Sequence, residues 1–290
     1  MAKSNKRSKL TRYIQGFKND AQFRAGVIGI VLLLLVVALT PVLVTHDAHE
    51  FGSLSLGRPG QDGHLLGTNH MGQDVYSMII EGTSTSLKVA VISSMISAIL
   101  GILVGGIAGF FGGKTDIVIS ESINAFLMIP TFFLVLLVIA LFGNSITNVM
   151  IVIGLTSWPG NAKLMRAQAL SLRERTFVKS AVALGETRLQ ILTKYILPNG
   201  IFPVVANTTR GMAGAILTEA SLSFLGLGDP NIISWGQMIY AGKNYITTGW
   251  WVSTFAGIAT IITVVIFYLL GDGMNHVLNP KYSFGKGGGK

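Results

Sequence analysis

The sequence predicts an all-α integral membrane protein with six transmembrane helices, for three reasons. Half of the 290 residues are hydrophobic and only 12% are charged, against about 25% charged in an average soluble domain. Several apolar runs reach about 20 residues, the length of a helix that crosses a bilayer. The chain has no cysteine, which excludes disulfide scaffolds and thiolate metal sites, and the apolar content excludes a disordered chain.

Six apolar runs define the predicted spans, taken in order along the chain. The first is long, lacks an obvious small-x-small cleavage site and is followed by further spans, so it is interpreted as an uncleaved anchor and not as a signal peptide. The second and fifth are rich in small and polar residues, which is typical of helices packed inside a bundle. The fourth is short and is expected to extend past Pro159. The predicted spans are 25–44, 87–111, 120–142, 146–158, 200–222 and 251–271.

The positive charges orient these spans. Eighteen of the 22 lysines and arginines fall on one predicted side, whereas the opposite loops, 45–86 and 223–250, contain only Arg58 and Lys243. Loops rich in Lys and Arg remain in the cytoplasm, so both termini are predicted to be cytoplasmic in a multi-pass protein of the cell (inner, cytoplasmic) membrane. The net charge of +9 therefore reflects topology, and no nucleic-acid partner is predicted.

The predicted organisation follows from this topology. A basic cytoplasmic tail precedes the first span, an extracytoplasmic loop follows it, and the remaining five helices form a core that contains one long cytoplasmic loop. The predicted segments are the tail 1–24, the first span 25–44, the external loop 45–86, the core 87–271 with its loop 160–199, and the C-terminal tail 272–290.

The cytoplasmic segment 160–199 has an amphipathic helical pattern. Gly185 interrupts the pattern, and Pro198 ends it because proline does not continue a helix interior. Two short helices joined at a glycine, with a basic surface, could dock into a groove on another protein. The alternative is a helix pair that lies on anionic lipid.

The same segment carries a family motif. Residues 179–185, Lys-Ser-Ala-Val-Ala-Leu-Gly, followed after nine residues by Tyr-Ile-Leu-Pro at 195–198, resemble the EAA loop (E-A-A-x-x-x-G, nine residues, I-x-L-P) of ATP-binding-cassette import permeases. Lys179 stands where a glutamate is usual, Ser180 replaces the first alanine, and Tyr195 replaces the isoleucine.

Other segments narrow the resemblance to the dipeptide/oligopeptide permeases, and within them to the subunit with the short external loop (the DppC/OppC type). They occur in the expected order from about residue 15 to 282. The matching segments are His-Leu-Leu-Gly-Thr-Asn-His-Met-Gly-Gln-Asp-Val at 64–75, Ala-Gly-Phe-Phe-Gly-Gly at 108–113 with Asp116, Ala-Ile-Leu-Thr-Glu-Ala-Ser-Leu-Ser-Phe-Leu-Gly-Leu-Gly at 215–228, Ser-Trp-Gly at 234–236 and Leu-Gly-Asp-Gly at 270–273.

The resemblance implies the type I ABC importer permease fold and a transporter assembled from several different subunits. The chain would form half of the translocation channel beside a homologous second permease (DppB/OppB-like), with two ATP-binding subunits inside and an extracytoplasmic solute-binding protein outside. ATP and magnesium would be bound by the partner subunits, so this chain would carry no cofactor and would not be an enzyme. Di- or oligopeptides are the expected substrates, and nickel chelates (metallophores) or oligosaccharides are the alternatives.

The resemblance also assigns the coupling residues. Ala181 is small enough to lie against a partner surface, Gly185 permits the turn between the two short helices, and Pro198 sets the start of the fifth span. Lys179 reverses the usual charge, and Glu186 could supply a nearby acid instead. The expected ATPase-coupling residues are Lys179, Ser180, Ala181, Gly185, Glu186, Leu197 and Pro198.

Ionisable groups inside the predicted spans suggest a second site. Glu219 lies near the outer end of the fifth span, with Ser221, Ser223 and Arg210 on the same helix, and ionisable residues at membrane depth usually face a cavity or a partner. Glu219 is therefore expected either to line the pathway or its gate, or to make a structural hydrogen bond to a neighbouring helix. An ion-coupled secondary transporter, the alternative of a different class, would need paired acids or broken helices at mid-membrane, together with inverted repeats. The sequence has a single glutamate near a span end and no visible repeat.

The external histidines and a glycine-rich turn resemble ligand-binding patterns, but neither predicts a site. Four of the five histidines lie in the first external loop, with His46 and His49 three residues apart; since loop histidines are usually solvated, no metal site is predicted. The Gly-Gly-Lys-Thr at 112–115 follows a membrane span and not a buried strand, so it does not predict a phosphate-binding loop.

An aromatic cluster borders the predicted external face of the membrane. Tryptophan and tyrosine are enriched at the membrane–water interface, so an aromatic belt is the preferred interpretation. Packing against a partner subunit is the alternative. The cluster comprises Trp235, Tyr240, Tyr245, Trp250 and Trp251.

Overall fold

The computed structural model describes residues 14–278, and most of both predicted tails lies outside them. The regular secondary structure of these residues is helical, apart from one isolated β-bridge between Thr68 and Asp74. Its elements are α1 (Ala21–Ala38), α2 (Thr40–Leu43), a 3₁₀ turn (Gln61–Gly63), α3 (Val75–Phe111), α4 (Gly113–Leu127), α5 (Thr131–Phe142), α6 (Ile146–Arg173), α7 (Thr176–Ala183), α8 (Arg188–Ile191), a π-helical turn (Leu192–Ile196), α9 (Leu197–Phe224), α10 (Trp235–Lys243) and α11 (Trp250–Leu278).

Candidate membrane spans are fewer than the six predicted. Within residues 14–278, three helices are both long and apolar enough to cross a membrane, namely Ala21–Ala38, Val75–Phe111 and Trp250–Val277; the bent pair α4 and α5 makes a fourth if it counts as one span. Helices α6 and α9 are also 28 residues long each. They are more polar, because both carry asparagines and threonines, α6 carries three cations, and α9 carries Arg210 and Glu219.

The prediction of one continuous third span over 120–142 is wrong. Helix α4 ends at Leu127 and α5 begins at Thr131, with a bend of 78° between them. Pro130 is the residue before α5, and the residue that precedes a proline is disfavoured in the helical conformation. The chain therefore turns at Met128–Pro130 before it becomes helical again.

Other predicted boundaries also differ. The second span was expected to begin at residue 87, but α3 begins at Val75, where the Asp74 side chain accepts a hydrogen bond from the Ser77 amide. The predicted cytoplasmic segment 160–199 begins within α6, which continues through Pro159 to Arg173, in agreement with the helical pattern of that segment. The extension past Pro159 is as predicted, and it shortens the connection to α7.

A glycine seam joins α3 to α6 at the centre of the bundle. Gly101, Gly105 and Gly109 recur at every fourth position, and a Cβ atom on any of them would lie within 2.4 Å of an atom of Asn161, Ala162 or Arg166. Small residues at this spacing let two helix backbones approach closely, as in many membrane proteins. The seam explains why this span is rich in glycine and serine.

The first and last helices pack together in the same manner. A Cβ atom on Gly26 would lie 2.5 Å from backbone atoms of Leu270, and one on Gly273 would lie 2.4 Å from the Phe23 Cα. Asp20, which caps α1, also makes a 2.9 Å hydrogen bond to the His276 ring. The N-terminal half of α1 is thus fastened to α11.

The segment between α2 and α3 is folded onto the helices. The indole N–H of Trp251 donates to the Thr68 carbonyl and that of Trp235 donates to the Ile79 carbonyl. Both tryptophans are buried, so their assignment to an aromatic belt is wrong. Trp250 and Tyr240 are exposed and remain compatible with it.

Candidate functional site

Residues 176–198, called here the candidate coupling loop, begin with a short helix that ends in a glycine turn. Gly185 has φ of +79°, and the amides of Gly185 and Glu186 donate to the carbonyls of Val182 and Ala181. This pattern is a Schellman motif, in which a left-handed residue closes the helix. No atom lies within 4 Å of a Cβ placed on Gly185, so backbone conformation alone favours glycine there.

The inner face of the candidate coupling loop packs against its own chain. Ala181 is only 3% exposed and belongs to a buried cluster with Val178, Ile191 and Ile196. Met165 and Ala169 of α6 and Val204 of α9 complete this cluster. The expectation that Ala181 faces a partner surface is therefore not met, because its small side chain lets α7 approach α6 and α9.

The outer face carries the charged and apolar groups that are free to meet another protein. Lys179 lies 3.4 Å from Glu174, both on the surface, and Ser180 is exposed beside it. Val182, Leu184 and Leu189 are exposed apolar residues, and Leu184 retains 84% of its surface. None of these three was among the expected coupling residues, because an amphipathic pattern does not show which apolar residues stay exposed on the folded chain.

Glu186 makes contacts within the loop. Its carboxylate accepts a 2.7 Å hydrogen bond from the Tyr195 hydroxyl and lies 3.6 Å from the Lys194 ammonium. The hydrogen bond to Glu186 raises the pKa of Tyr195. The residue that replaces the usual isoleucine thus fastens the glycine turn to the end of the loop.

The end of the candidate coupling loop differs from the prediction that Pro198 stops the helix. The chain is helical from Arg188 to Phe224, and Pro198 lies in the first turn of α9, where its missing N–H is tolerated. A π-helical turn precedes it, and the Leu197 amide donates to the Leu192 carbonyl. Leu197 packs against the buried cluster, whereas Pro198 is exposed.

The turn between α3 and α4 is joined to α6 by an ion pair. Arg166 donates two hydrogen bonds to Asp116, one from each of two guanidinium nitrogens, and the Nη2–Oδ2 distance is 2.7 Å. Paired contacts of this geometry are among the strongest between side chains. Asp116 was noted only as part of a motif, and its partner lies 50 residues away, so the sequence pattern could not reveal the pair.

Glu219 is buried, with 2% of its surface exposed. Its Oε1 accepts hydrogen bonds of 2.8 Å from the hydroxyls of Ser223 and Ser234. Ser234 also caps α10 by accepting from the Gln237 amide. This geometry matches the structural alternative for Glu219, because the carboxylate joins α9 to the start of α10.

The two other expected pathway residues point elsewhere. Ser221 is exposed and donates to the Leu217 carbonyl of its own helix. Arg210 makes a 3.2 Å contact with Asp272 of α11. Among the described residues, the polar cavity of the bundle is lined by neither of these, nor by Glu219 or Ser223.

That polar cavity, of about 200 Å³, lies between α3, α6 and α9. Three side-chain amide and hydroxyl groups form a chain across it: the Asn161 side-chain amide donates to the Ser97 hydroxyl (3.0 Å), and the Asn207 side-chain amide donates to the Asn161 Oδ1 (2.9 Å). Within residues 14–278 its lining has no charged side chain, and consists of Ser93, Ser94, Ser97, Ile153, Ser157, Asn161, Asn207, Thr208, Gly211, Gly214, Ala215 and Thr218. The sequence analysis missed this site because its residues come from three separate helices.

Helices long and apolar enough to cross a membrane, packed around a polar cavity, are typical of membrane transport proteins. Residues 101–284 match the family described as "Binding-protein-dependent transport system inner membrane component". The chain belongs to this family.

Individual relatives agree with this membership. The chain is 34% identical to the "Probable D,D-dipeptide transport system permease protein DdpC" of Escherichia coli (strain K12), over 87% of this chain and 85% of that protein. It is 31% identical to the "Di/tripeptide transport system permease protein DppC" of Pseudomonas aeruginosa (strain UCBPP-PA14), over 94% and 93%. It is also 31% identical to the "Oligopeptide transport system permease protein OppC" of Haemophilus influenzae, over 91% and 86%.

The fold is similar to that of a solved transporter. A chain of the MetNI methionine ABC transporter, in an inward-facing conformation, superposes with a TM-score of 0.55 at 19% identity, over 67% of this chain and 93% of that chain. Family and fold together make this chain the permease component of a binding-protein-dependent ABC importer. It is an inner-membrane protein that works with an ATPase and a binding protein, and it is not itself an enzyme.

Proposed function

We propose that the chain imports di- or oligopeptides as one half of a two-permease channel. The observation that carries the proposal is the polar cavity, which offers amide and hydroxyl groups and no charged side chain. Such groups match the N–H and C=O groups that every peptide repeats, and they do not select a particular side chain. The peptide permeases among the relatives support the same substrate class.

The proposed topology has six spans and cytoplasmic termini. Helices α6 and α9 would cross the membrane inside the bundle, where their polar residues face the cavity and α3 and not lipid. The bent pair α4 and α5 would cross once. Contacts of the 143–145 connection support a single crossing by this pair, because they place the end of α5 beside the predicted external segment 223–250. Asn144 donates to the Gly226 carbonyl, and the Ile146 amide donates to the Asp229 carboxylate.

The proposed partners follow from the two faces of the bundle. Two ATP-binding subunits would hold ATP and magnesium, and one would contact the candidate coupling loop through Val182, Leu184 and Leu189, which are exposed there. The homologous second permease would complete the channel, membrane lipid would surround it, and the solute-binding protein would dock outside. Lys179, Ser180 and Gly185 would shape this contact, and Glu186, Leu197 and Pro198 would hold it on the bundle.

Blocking the cavity tests the proposal. No atom lies within 4 Å of a Cβ placed on Gly214, which lines the cavity, or on Gly257 of α11, which does not line it. Gly214→Leu should therefore fill the cavity without disturbing helix packing, and Gly257→Leu is the matched control. In cells that depend on this importer, uptake of labelled di- and tripeptides should fall sharply with Gly214→Leu and stay normal with Gly257→Leu.

Two outcomes would contradict the proposal. Normal peptide uptake by an assembled Gly214→Leu transporter would remove the cavity from the pathway. Uptake of a nickel chelate or an oligosaccharide in place of peptides, by the unmodified transporter, would retain the cavity and replace the substrate.

A further inference from the structure

Three potential metal ligands from separate segments meet on the external side of the bundle. His46 follows α2, His64 follows the 3₁₀ turn, and Asp74 caps α3. One ligand atom from each of the three lies within 4.8 Å of the other two. The His64 Nδ1 to Asp74 Oδ1 distance is 2.9 Å, and the His46 Nδ1 to Asp74 Oδ1 distance is 3.9 Å.

Neighbouring groups hold these ligands in place. The Asp74 side chain has no exposed surface, and its Oδ2 accepts a 2.8 Å hydrogen bond from the Ser77 amide, so Oδ1 is left to face the imidazoles. The His46 amide donates to the Ser77 hydroxyl. The two imidazole rings lie 4.4 Å apart, tilted by 32°. A supported carboxylate beside two fixed imidazoles is a preorganised ligand set.

The surroundings are acidic. A cavity of about 280 Å³ opens beside the three ligands, and Asp47, Glu50 and Asp62 also line it. Among the described residues, no lysine or arginine lines this cavity. Four carboxylates around two imidazoles create a negative potential that attracts a cation.

We propose that His46, His64 and Asp74 bind one divalent transition-metal ion of the zinc type. Two imidazoles and one carboxylate are a ligand set that zinc accepts with a fourth position open to water. Metal–ligand bonds of about 2.0–2.2 Å place tetrahedral ligand atoms roughly 3.3–3.6 Å apart, between the two distances found to Asp74. Small side-chain rotations would therefore form the site without moving the backbone.

A metal ion at this position would join the end of the first membrane helix to the start of α3. It would also fix the loop around His64, which lies on the face where a binding protein is proposed to dock. The inference concerns this chain's own ligands and is independent of the imported substrate, so either proposal can fail without the other.

The test uses the whole transporter, purified in detergent with a tag that contains no histidine and stripped with a chelator. Cobalt(II) serves as the spectroscopic probe and zinc as the competitor. We expect visible cobalt absorption bands that zinc removes, and a midpoint of thermal unfolding that rises with zinc concentration, because a ligand of the folded state stabilises it. Magnesium and calcium, which prefer oxygen ligands, should produce neither effect.

Matched variants assign the signal to the site. His46→Ala removes a half-exposed ligand that does not hold Asp74 directly, so the fold should persist while zinc affinity falls by at least the ~10- to 100-fold that loss of a supporting group costs. His64→Ala should have the same effect. The controls are His49→Ala, whose ring contacts Glu81, and His70→Ala, whose ring stacks on Tyr245; both should bind normally.

The outcomes are decisive in either direction. Loss of the cobalt bands in His46→Ala and His64→Ala, with the bands kept in both controls, supports the site. Absence of the bands in the unmodified transporter, or bands unchanged in His46→Ala, overturns the proposal and leaves a hydrogen-bonded His64–Asp74 pair only.

Discussion

Glu219 illustrates how one buried carboxylate can join two helices of a membrane protein. It accepts from Ser223 one turn away on α9 and from Ser234 at the cap of α10. The Ser234 side chain therefore has two roles, since it donates to Glu219 and accepts from the Gln237 amide. Removing the carboxylate would leave two buried hydroxyls without their acceptor.

The prediction at this site separates a structural role from a transport role. Glu219→Ala should lower the stability of the assembled transporter, because each buried donor left without a partner costs about 1–3 kcal/mol. Glu219→Gln should retain most stability, since its amide oxygen can accept both hydrogen bonds. The measurements are the thermal midpoint in detergent and peptide uptake. If Glu219→Gln abolished uptake while stability was unchanged, Glu219 would belong to the pathway.

Gly185 is the residue at which sequence reasoning and geometry agree most closely. A left-handed backbone is costly for residues with a side chain, by about 1–2 kcal/mol, and φ at Gly185 is +79°. The sequence indicated the turn because glycine interrupted an amphipathic helical pattern. The space around Gly185 is open, so a substitution there tests backbone conformation and not packing.

We therefore expect Gly185→Leu to uncouple ATP hydrolysis from transport while the complex still assembles. Gly185→Asn is the matched control, because asparagine adopts the left-handed conformation more readily than other residues. The measurements are ATPase activity, uptake and co-purification of the ATPase subunits with each variant. Normal transport by Gly185→Leu would show that the glycine turn is not needed for coupling.

At the scale of helices, the sequence predicts features set by neighbouring residues, but it does not predict contacts between segments that are distant along the chain. Pro159 within α6 and the end of α7 followed from residue types. The bend between α4 and α5 was missed, although Pro130 marks it, because the apolar run continues across the proline. The inward orientation of Ala181 was missed because an amphipathic pattern does not say which face meets the bundle.

The candidate functional residues likewise include a contiguous segment, which the sequence reveals, and non-local clusters, which it does not. The coupling segment is contiguous, so a motif could identify it. The polar cavity is built by Ser97, Asn161 and Asn207 from three helices, and in the sequence each looks like an isolated polar residue in an apolar run. The pair of Asp116 and Arg166 is equally non-local. Only helix packing along the glycine seam brings such residues together.

For the molecule as a whole, the six-span topology predicts which segments face each side of the membrane. The absence of cysteine makes the chain a ready background for an accessibility experiment. Ser53→Cys, Thr147→Cys and Ser180→Cys each place one thiol at an exposed position. With six spans, an impermeant maleimide should label Ser53→Cys and Thr147→Cys in intact cells, or in spheroplasts where an outer membrane intervenes. It should label Ser180→Cys only after permeabilisation.

Thr147 is the critical site, because a bent α4–α5 pair that returned to the side from which it entered would place the start of α6 in the cytoplasm. Labelling of Thr147→Cys only after permeabilisation would therefore replace the six-span topology with a re-entrant one, and the unmodified chain, which has no thiol, controls for labelling of the partner subunits.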